Sequence, residues 1–207
     1  MIKIPGWTSD KELKILEAFA SNVPDGGSIL EIGPFIGRST LALYNGKKDT
    51  VSLDIVDPFT ISDWFTPEKN YTDFYGDSEL FEKAKQIARE TNSWEQSFRF
   101  CIGEEICNKI NIFPVSSQEF TVTKNYDLIF IDGDHAFRSV SHDIKKFSNN
   151  HSLIIGDDFT NKFPGVVGSV LLFKGKKSII IPCGTKFYII APTVDKQNWN
   201  EVIKKII

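Results

Sequence analysis

The chain has 207 residues, 41% of them hydrophobic and 25% charged, which is enough for one sizeable domain over 1–207 with a true core. A net charge of −3 gives no electrostatic case for nucleic acid, and no apolar run is long enough to cross a bilayer, so neither nucleic acid nor a membrane is an expected partner. Cys101, Cys107 and Cys183 lack metal-ligand spacing and the N-terminus lacks a signal peptide's apolar stretch, so reduced thiols in a cytoplasmic protein are expected.

The first predicted element is a helix. Ser9 can cap it, Glu12 can reach back to the cap, and Leu13, Leu16 and Ala20 recur on one face, widened by Ile15 and Phe19. Pro24-Asp25-Gly26-Gly27 ends this helix and turns into an apolar strand, 28–32. Gly33 and Gly37 then lead into a second helix, 38–44. Strand, glycine turn and helix in that order form a nucleotide cradle, because glycine lets the backbone approach a ligand and the helix N-terminus offers free N–H groups. Phe35 stands where a dinucleotide fingerprint has its second glycine, so the cradle suits a smaller nucleoside better than a pyrophosphate. An ordinary turn with packing glycines would account for the same pattern.

Residues 50–56 are a β-rich run followed by Asp57-Pro58. Asp54 lies 23 residues after Glu31, about the spacing at which a second parallel strand delivers a carboxylate to a ribose, and Asp57 is its rival for that role. Residues 58–76 mix Phe59, Trp64, Phe65, Tyr71, Phe74 and Tyr75 with polar residues and no clean period. Such a segment suits a lid or acceptor pocket, or a loop packing its own aromatics. A helix capped by Asp77 is expected over 78–91, a short strand over 98–102, a short helix over 104–110 and a core strand over 110–115, ending at Ser116-Ser117.

The strand 126–131 ends in Asp132-Gly133-Asp134-His135, and a helix follows over 137–147. The strand 151–155 ends in Gly156-Asp157-Asp158, with a helix over 166–173 beyond Pro164-Gly165. Two β-runs, 178–181 and 186–190, and a tail helix, 196–207, complete the chain. This alternation predicts an α/β fold: a doubly wound, mostly parallel sheet with helices on both faces and an antiparallel hairpin at one edge.

In such sheets ligands bind beyond the carboxyl ends of the strands. Those ends gather Glu31, Asp54, Ser116, Ser117, Asp132, Asp134, His135, Asp157 and Asp158. Clustered carboxylates repel, and a divalent cation on Asp132, Asp157 and Asp158 would offset that; the same aspartates could instead cap helices. His135 is a candidate general base near neutral pH, or a hydrogen-bonded loop histidine. With neither a nucleophile elbow nor a Walker sequence, hydrolase and P-loop readings lack support.

Leu30-Glu31-Ile32-Gly33-x-x-x-Gly37-Arg38-Ser39-Thr40 resembles motif I of class I S-adenosylmethionine (SAM)-dependent methyltransferases, in the form found in small O-methyltransferases. Ile129-Phe-Ile-Asp-Gly-Asp-His135 is similar to their fourth-strand signature, and Gly156-Asp157-Asp158-Phe159 with Pro164-Gly165-Val166 resembles their fifth. The resemblance implies a single Rossmann-like methyltransferase domain with a seven-stranded sheet, residues 58–76 forming an insert. It implies that backbone of the turn carrying Glu31, Gly33, Pro34, Phe35 and Gly37 holds the methionine part of SAM, and that Ser39, Thr40 and Asp132 also belong to the cofactor site. Asp54 would take the ribose, and Ser116 and Ser117 the adenine. Relatives of the macrocin and catechol branches hold a divalent ion at positions matching Asp132, Asp157 and Asp158, so Mg²⁺ or another divalent cation is implied. The Asp-Asp pair, where the catechol branch has Asp-Asn, leans to the macrocin-like, sugar-modifying branch. The implied function is metal-assisted O-methylation of a small molecule, with Asp132 and His135 in the catalytic centre. A metal-independent N- or O-methyltransferase and a non-catalytic SAM-binding domain are the alternatives. A homodimer is compatible with all three.

Overall fold

The structure is a computed structural model in which residues 4–60, 78–173 and 178–207 are described. Its sheet grows from five apolar segments that end level with one another. They are β1 (Ser28–Ile32), β2 (Ser52–Val56), β3 (Asn111–Phe113), β4 (Leu128–Ile131) and β5 (Leu153–Gly156), all parallel. The short strands β6 (Ile179–Ile180) and β7 (Tyr188–Ile190) complete it. The order is β3-β2-β1-β4-β5-β7-β6, with β7 antiparallel to both β5 and β6, as expected for a Rossmann-like seven-stranded sheet with an edge hairpin.

Between them run α1 (Asp10–Ser21), α2 (Arg38–Gly46), α3 (Ser78–Thr91), α4 (Trp94–Ile102), α5 (Glu104–Cys107), α6 (Phe137–Phe147), α7 (Pro164–Phe173) and α8 (Trp199–Ile206). The period-two alternation of each strand sends side chains to two cores. On one face Ile29, Leu53, Phe130 and Ile155 meet Leu16, Phe19 and Trp199 of α1 and α8. On the other, Leu30, Val56, Ile129 and Ile154 meet Val140, Ile144, Val166 and Val170 of α6 and α7. No helix among the described residues is long and apolar enough to cross a membrane.

Two local features bear on the site. The α1 capping box forms as expected: the Glu12 amide donates to Ser9 Oγ at 3.3 Å and the Ser9 amide donates to Glu12 Oε2 at 2.8 Å. The other Glu12 oxygen accepts the backbone N–H of Lys186 at 2.8 Å, so the start of α1 grips the loop entering β7. Residues 98–102 do not form the expected strand; they are the end of α4. Phe98, Phe100 and Ile102 fit a period of two, but only Phe98 and Ile102, one helical turn apart, are buried, and Phe100 is 57% exposed. Ser93 caps this helix through the Gln96 amide. Of the insert 58–76, residues 61–76 lie outside the described residues.

Candidate active site

Strand register builds the site. Ile32 pairs with both Val56 and Ile131, and Ile131 pairs with Gly156. The next residues, Gly33, Asp57, Asp132 and Asp157, therefore stand in a row along the carboxyl edge, at the switch between β1 and β4 where the strand order reverses. Beyond them opens a cleft of about 1040 Å³, just above the roughly 300–1,000 Å³ usual for small-molecule pockets. Among the described residues, six aspartates and three basic side chains line it. The excess of carboxylate suits a ligand carrying positive charge.

The β1–α2 turn forms one wall. Gly33 has φ +81°, and a Cβ there would fall 2.1 Å from the Asp132 carbonyl oxygen. Gly37 has φ +97° and lies against Ile102. Phe35, at φ +52°, is also left-handed, a conformation rarely held by a bulky residue. Its ring stacks on Trp94 at 5.3 Å and faces Trp7 at 5.5 Å, between α4 and the N-terminal segment. Arg38 fixes that segment by donating to the carbonyls of Thr8 and Ile4 and pairing with Asp10 at 2.9 Å. Gly33, Pro34, Phe35, Ser39 and Trp7 all border the cleft.

Glu31 does not border it. The side chain is fully buried and accepts from Ser39 Oγ at 2.5 Å and Thr40 Oγ1 at 2.6 Å, so it ties β1 to α2. Burial pushes its carboxyl up to about 7, against the pull of those two hydroxyls.

Of the two rivals for the ribose, Asp57 borders the cleft and Asp54 does not. Asp54 lies inside β2, where it accepts from Asn111 at 2.8 Å and Tyr126 Oη at 2.8 Å and pairs with Lys124 at 3.0 Å. It is absent from the cleft wall, and the expected ribose contact does not fit that position. Asp57 follows the last residue of β2 and borders the cleft, with Oδ1 accepting the Phe59 amide at 2.5 Å. Burial pushes Asp57 up to about 6.

Ser116 and Ser117 border the cleft beyond β3. Lys146 of α6 steadies their loop by donating to the carbonyls of Ser117 at 2.7 Å and Gln118 at 2.8 Å. Beside them stands Asp143 of α6, a position that no motif in the sequence marks. It is 2% exposed, borders the cleft, and its Oδ1 has no hydrogen-bond partner among the described residues. Burial raises its carboxyl, while the Ser117 hydroxyl pulls the other way.

At the ends of β4 and β5, Asp132, Asp157, Asp158 and His135 come together with Lys186. Lys186 Nζ lies 3.0 Å from Asp157 Oδ2 and 3.0 Å from Asp158 Oδ1. Asp157 Oδ1 accepts the Asp158 amide at 2.6 Å, and Asp158 Oδ2 meets His135 Nε2 at 2.7 Å. All four oxygens of the pair are thus engaged, and the expected metal triad of Asp132, Asp157 and Asp158 does not fit this arrangement. The acidic and histidine atoms that do gather, within 4.8 Å, belong to Asp132, His135 and Asp158. His135 also lies flat on Phe163 at 4.3 Å, so its ring is held as a partner for Asp158. Burial and the neighbouring Asp157 and Asp158 push Asp132 well above the usual carboxylate range, with Lys186 pulling it down. Lys186 carried no motif; the sequence shows it only as the first residue of a β-run.

The family model described as a methyltransferase domain matches residues 30–159, more than half of the chain. The chain belongs to this methyltransferase family. No curated protein matches it. Among solved structures, the methyltransferase is similar to a Corynebacterium glutamicum protein, at 12% identity and a TM-score of 0.58 over 93% of this chain and 84% of that one. It is similar to the Bacillus cereus O-methyltransferase solved with SAH, at 17% identity and a TM-score of 0.54 over 91% and 84%. It is also similar to the Streptomyces achromogenes O-methyltransferase TomG, involved in tomaymycin synthesis and solved with SAM, at 16% identity and a TM-score of 0.52 over 90% and 81%. At these identities the likeness is one of fold.

Proposed function

We propose that this methyltransferase binds SAM in the cleft and transfers its methyl group to a hydroxyl of a small molecule, a sugar or other hydroxylated metabolite. The observation that carries the reading is the level row of strand ends, which brings the glycine turn, Asp57 and the β4–β5 carboxylates onto one cleft. The B. cereus and S. achromogenes O-methyltransferases, which share the fold and were solved with SAH and SAM, support it.

The proposed roles follow from placement. Backbone from Gly33 to Gly37 holds the methionine part, where glycine leaves the room that a Cβ would fill. Asp57, acceptor-only when ionised, takes the ribose hydroxyls in place of Asp54. Ser116 and Ser117 flank the adenine, and Asp143 Oδ1 accepts from its exocyclic amino group. When bound, SAM supplies an electrophilic methyl group: a new carbon–oxygen bond forms as the carbon–sulfur bond breaks, and the electron pair leaves on sulfur. Asp132, which borders the cleft at the end of β4, takes the proton released from the acceptor hydroxyl. His135 Nε2 meets Asp158 Oδ2 and holds that carboxylate in place.

Calorimetry tests the reading: SAH should bind with one site per chain and NAD should not. Isotope-labelled SAM should then pass its methyl group to members of a panel of hydroxylated small molecules; stoichiometric NAD binding without SAH binding would sink the proposal. The adenine assignment has its own test. Asp143→Ala should weaken SAH about tenfold, the loss of one hydrogen bond to a charged acceptor. It should barely affect the inosine analogue, whose keto group replaces the amino donor. Equal losses for both ligands would remove Asp143 from the adenine site.

A further inference from the structure

The β4–β5 edge carries more acid than a folded protein tolerates without compensation. Asp157 and Asp158 are buried neighbours in sequence, and Asp132 stands across from them at the end of β4. Carboxylates so placed need a cation nearby. In this chain the cation is internal. The Lys186 ammonium reaches both Asp157 and Asp158 at 3.0 Å while its side chain keeps 30% exposure toward the cleft it lines.

The lysine is also held from both sides along its backbone. Its N–H donates to Glu12 Oε1 at 2.8 Å, and its carbonyl accepts the Phe159 amide at 2.8 Å. The second bond joins Lys186 to the residue that follows Asp158, so the loop bearing the ammonium and the loop bearing the carboxylates move as one. A surface lysine that meets an acid by chance has no such anchoring, and its pairing contributes little.

We infer that Lys186 is the resident cation of this site: its ammonium occupies the place between Asp157 and Asp158 that a divalent ion would need, and its remaining proton meets the acceptor oxygen in the cleft. The second half of this statement rests on the methyltransferase reading above; the first does not. An ammonium has three donors, and two are committed to the carboxylates, which leaves one for an oxygen entering from the cleft. Mg²⁺ sits about 2.0–2.1 Å from carboxylate oxygens. An ion shared by Asp157 Oδ2 and Asp158 Oδ1 would collide with Nζ, so ammonium and metal exclude each other. Lys186 would thus supply positive charge at the acceptor oxygen itself, and turnover would need no metal.

Mn²⁺ titration followed by electron paramagnetic resonance tests this on the whole chain, with SAH binding measured on the same samples. Wild type should show no Mn²⁺ binding up to about 1 mM, whereas Lys186→Met, which keeps the stem's bulk and removes the charge, should gain a site at least about tenfold tighter. Lys186→Arg should stay without one. Methyl transfer by wild type should be unchanged in EDTA. Submillimolar Mn²⁺ binding by wild type, at Asp132, His135 and Asp158 or elsewhere in the cleft, overturns the proposal, and it does so even if Lys186→Met fails to fold. Absence of Mn²⁺ binding in a folded Lys186→Met also overturns it, because the lysine would then be excluding nothing. Loss of turnover in EDTA does the same. A wild type that binds neither SAH nor Mn²⁺ would count against the methyltransferase reading and leave the resident cation standing.

Discussion

Gly33→Ala should abolish measurable SAH binding and lower the melting temperature by about 10 °C, the largest effect of any single methyl group added along the β1–α2 turn. Two costs act together. A backbone at φ +81° holds a non-glycine residue in the left-handed region, at about 1–2 kcal/mol. The added Cβ would also stand 2.1 Å from the Asp132 carbonyl oxygen, 2.5 Å from its carbon and 2.7 Å from Gly133 Cα. All three are backbone atoms at the end of β4, so no rotamer change relieves the clash, and overpacking adds about 1–3 kcal/mol. At about 2–4 °C per kcal/mol for a chain of this size the sum gives the stated shift. Thermal unfolding and calorimetry read both effects. Gly26→Ala is the matched control: its φ of +74° carries the conformational cost, but nothing lies within 4 Å of the new Cβ. If both variants melt alike, the contact with β4 is not what demands glycine at position 33.

Asp57→Asn should weaken SAH by about 10- to 100-fold at pH 8, the value of a hydrogen bond to a charged acceptor. It should also flatten the pH dependence. In wild type, burial pushes the Asp57 carboxyl up to about 6, so the acceptor form prevails above that pH and is lost below it. SAH affinity should be level at pH 7–8 and fall by up to about tenfold per unit as the pH drops through 6. The unliganded protein should respond in the opposite sense. A carboxyl whose folded pKa is raised contributes stability that is present below its unfolded value of 3.8 and lost as the pH rises through about 6. Asp57→Asn should therefore stabilise the free protein at neutral pH while impairing binding. Urea titrations at pH 5 and 8 beside calorimetry at both would show it. A variant that keeps wild-type affinity would move the ribose contact away from Asp57.

Motifs that ride on backbone geometry were readable from the chain alone. Gly33 and Gly37 marked the turn, the run 126–131 marked a strand that forms over Leu128–Ile131, and Ser9 with Glu12 marked the start of α1, because each depends on local conformation. The residues that were missed depend on register or on distant partners. Asp54 has the spacing of a ribose ligand, but β2 runs on to Val56, and only the pairing of Val56 with Ile32 reveals that Asp57 is the residue at the edge. The run 98–102 alternates like a strand and becomes helical because Phe98 and Ile102 fill the core while Phe100 faces water. Lys186 lies on the hairpin that inserts β7 next to β5, and no local pattern says that this loop closes over Asp157 and Asp158. His135 was legible as a site residue, but its service to Asp158 was not.

The bond between Glu12 and the Lys186 amide joins residues 174 positions apart. Contacts of such separation form late, since a long loop must close before they return any stabilisation. Asp157 and Asp158 leave the ribosome before Lys186 does, and for that interval the ammonium that faces both of them is missing. The acidic edge is therefore most exposed to misfolding until the loop entering β7 closes over Asp157 and Asp158.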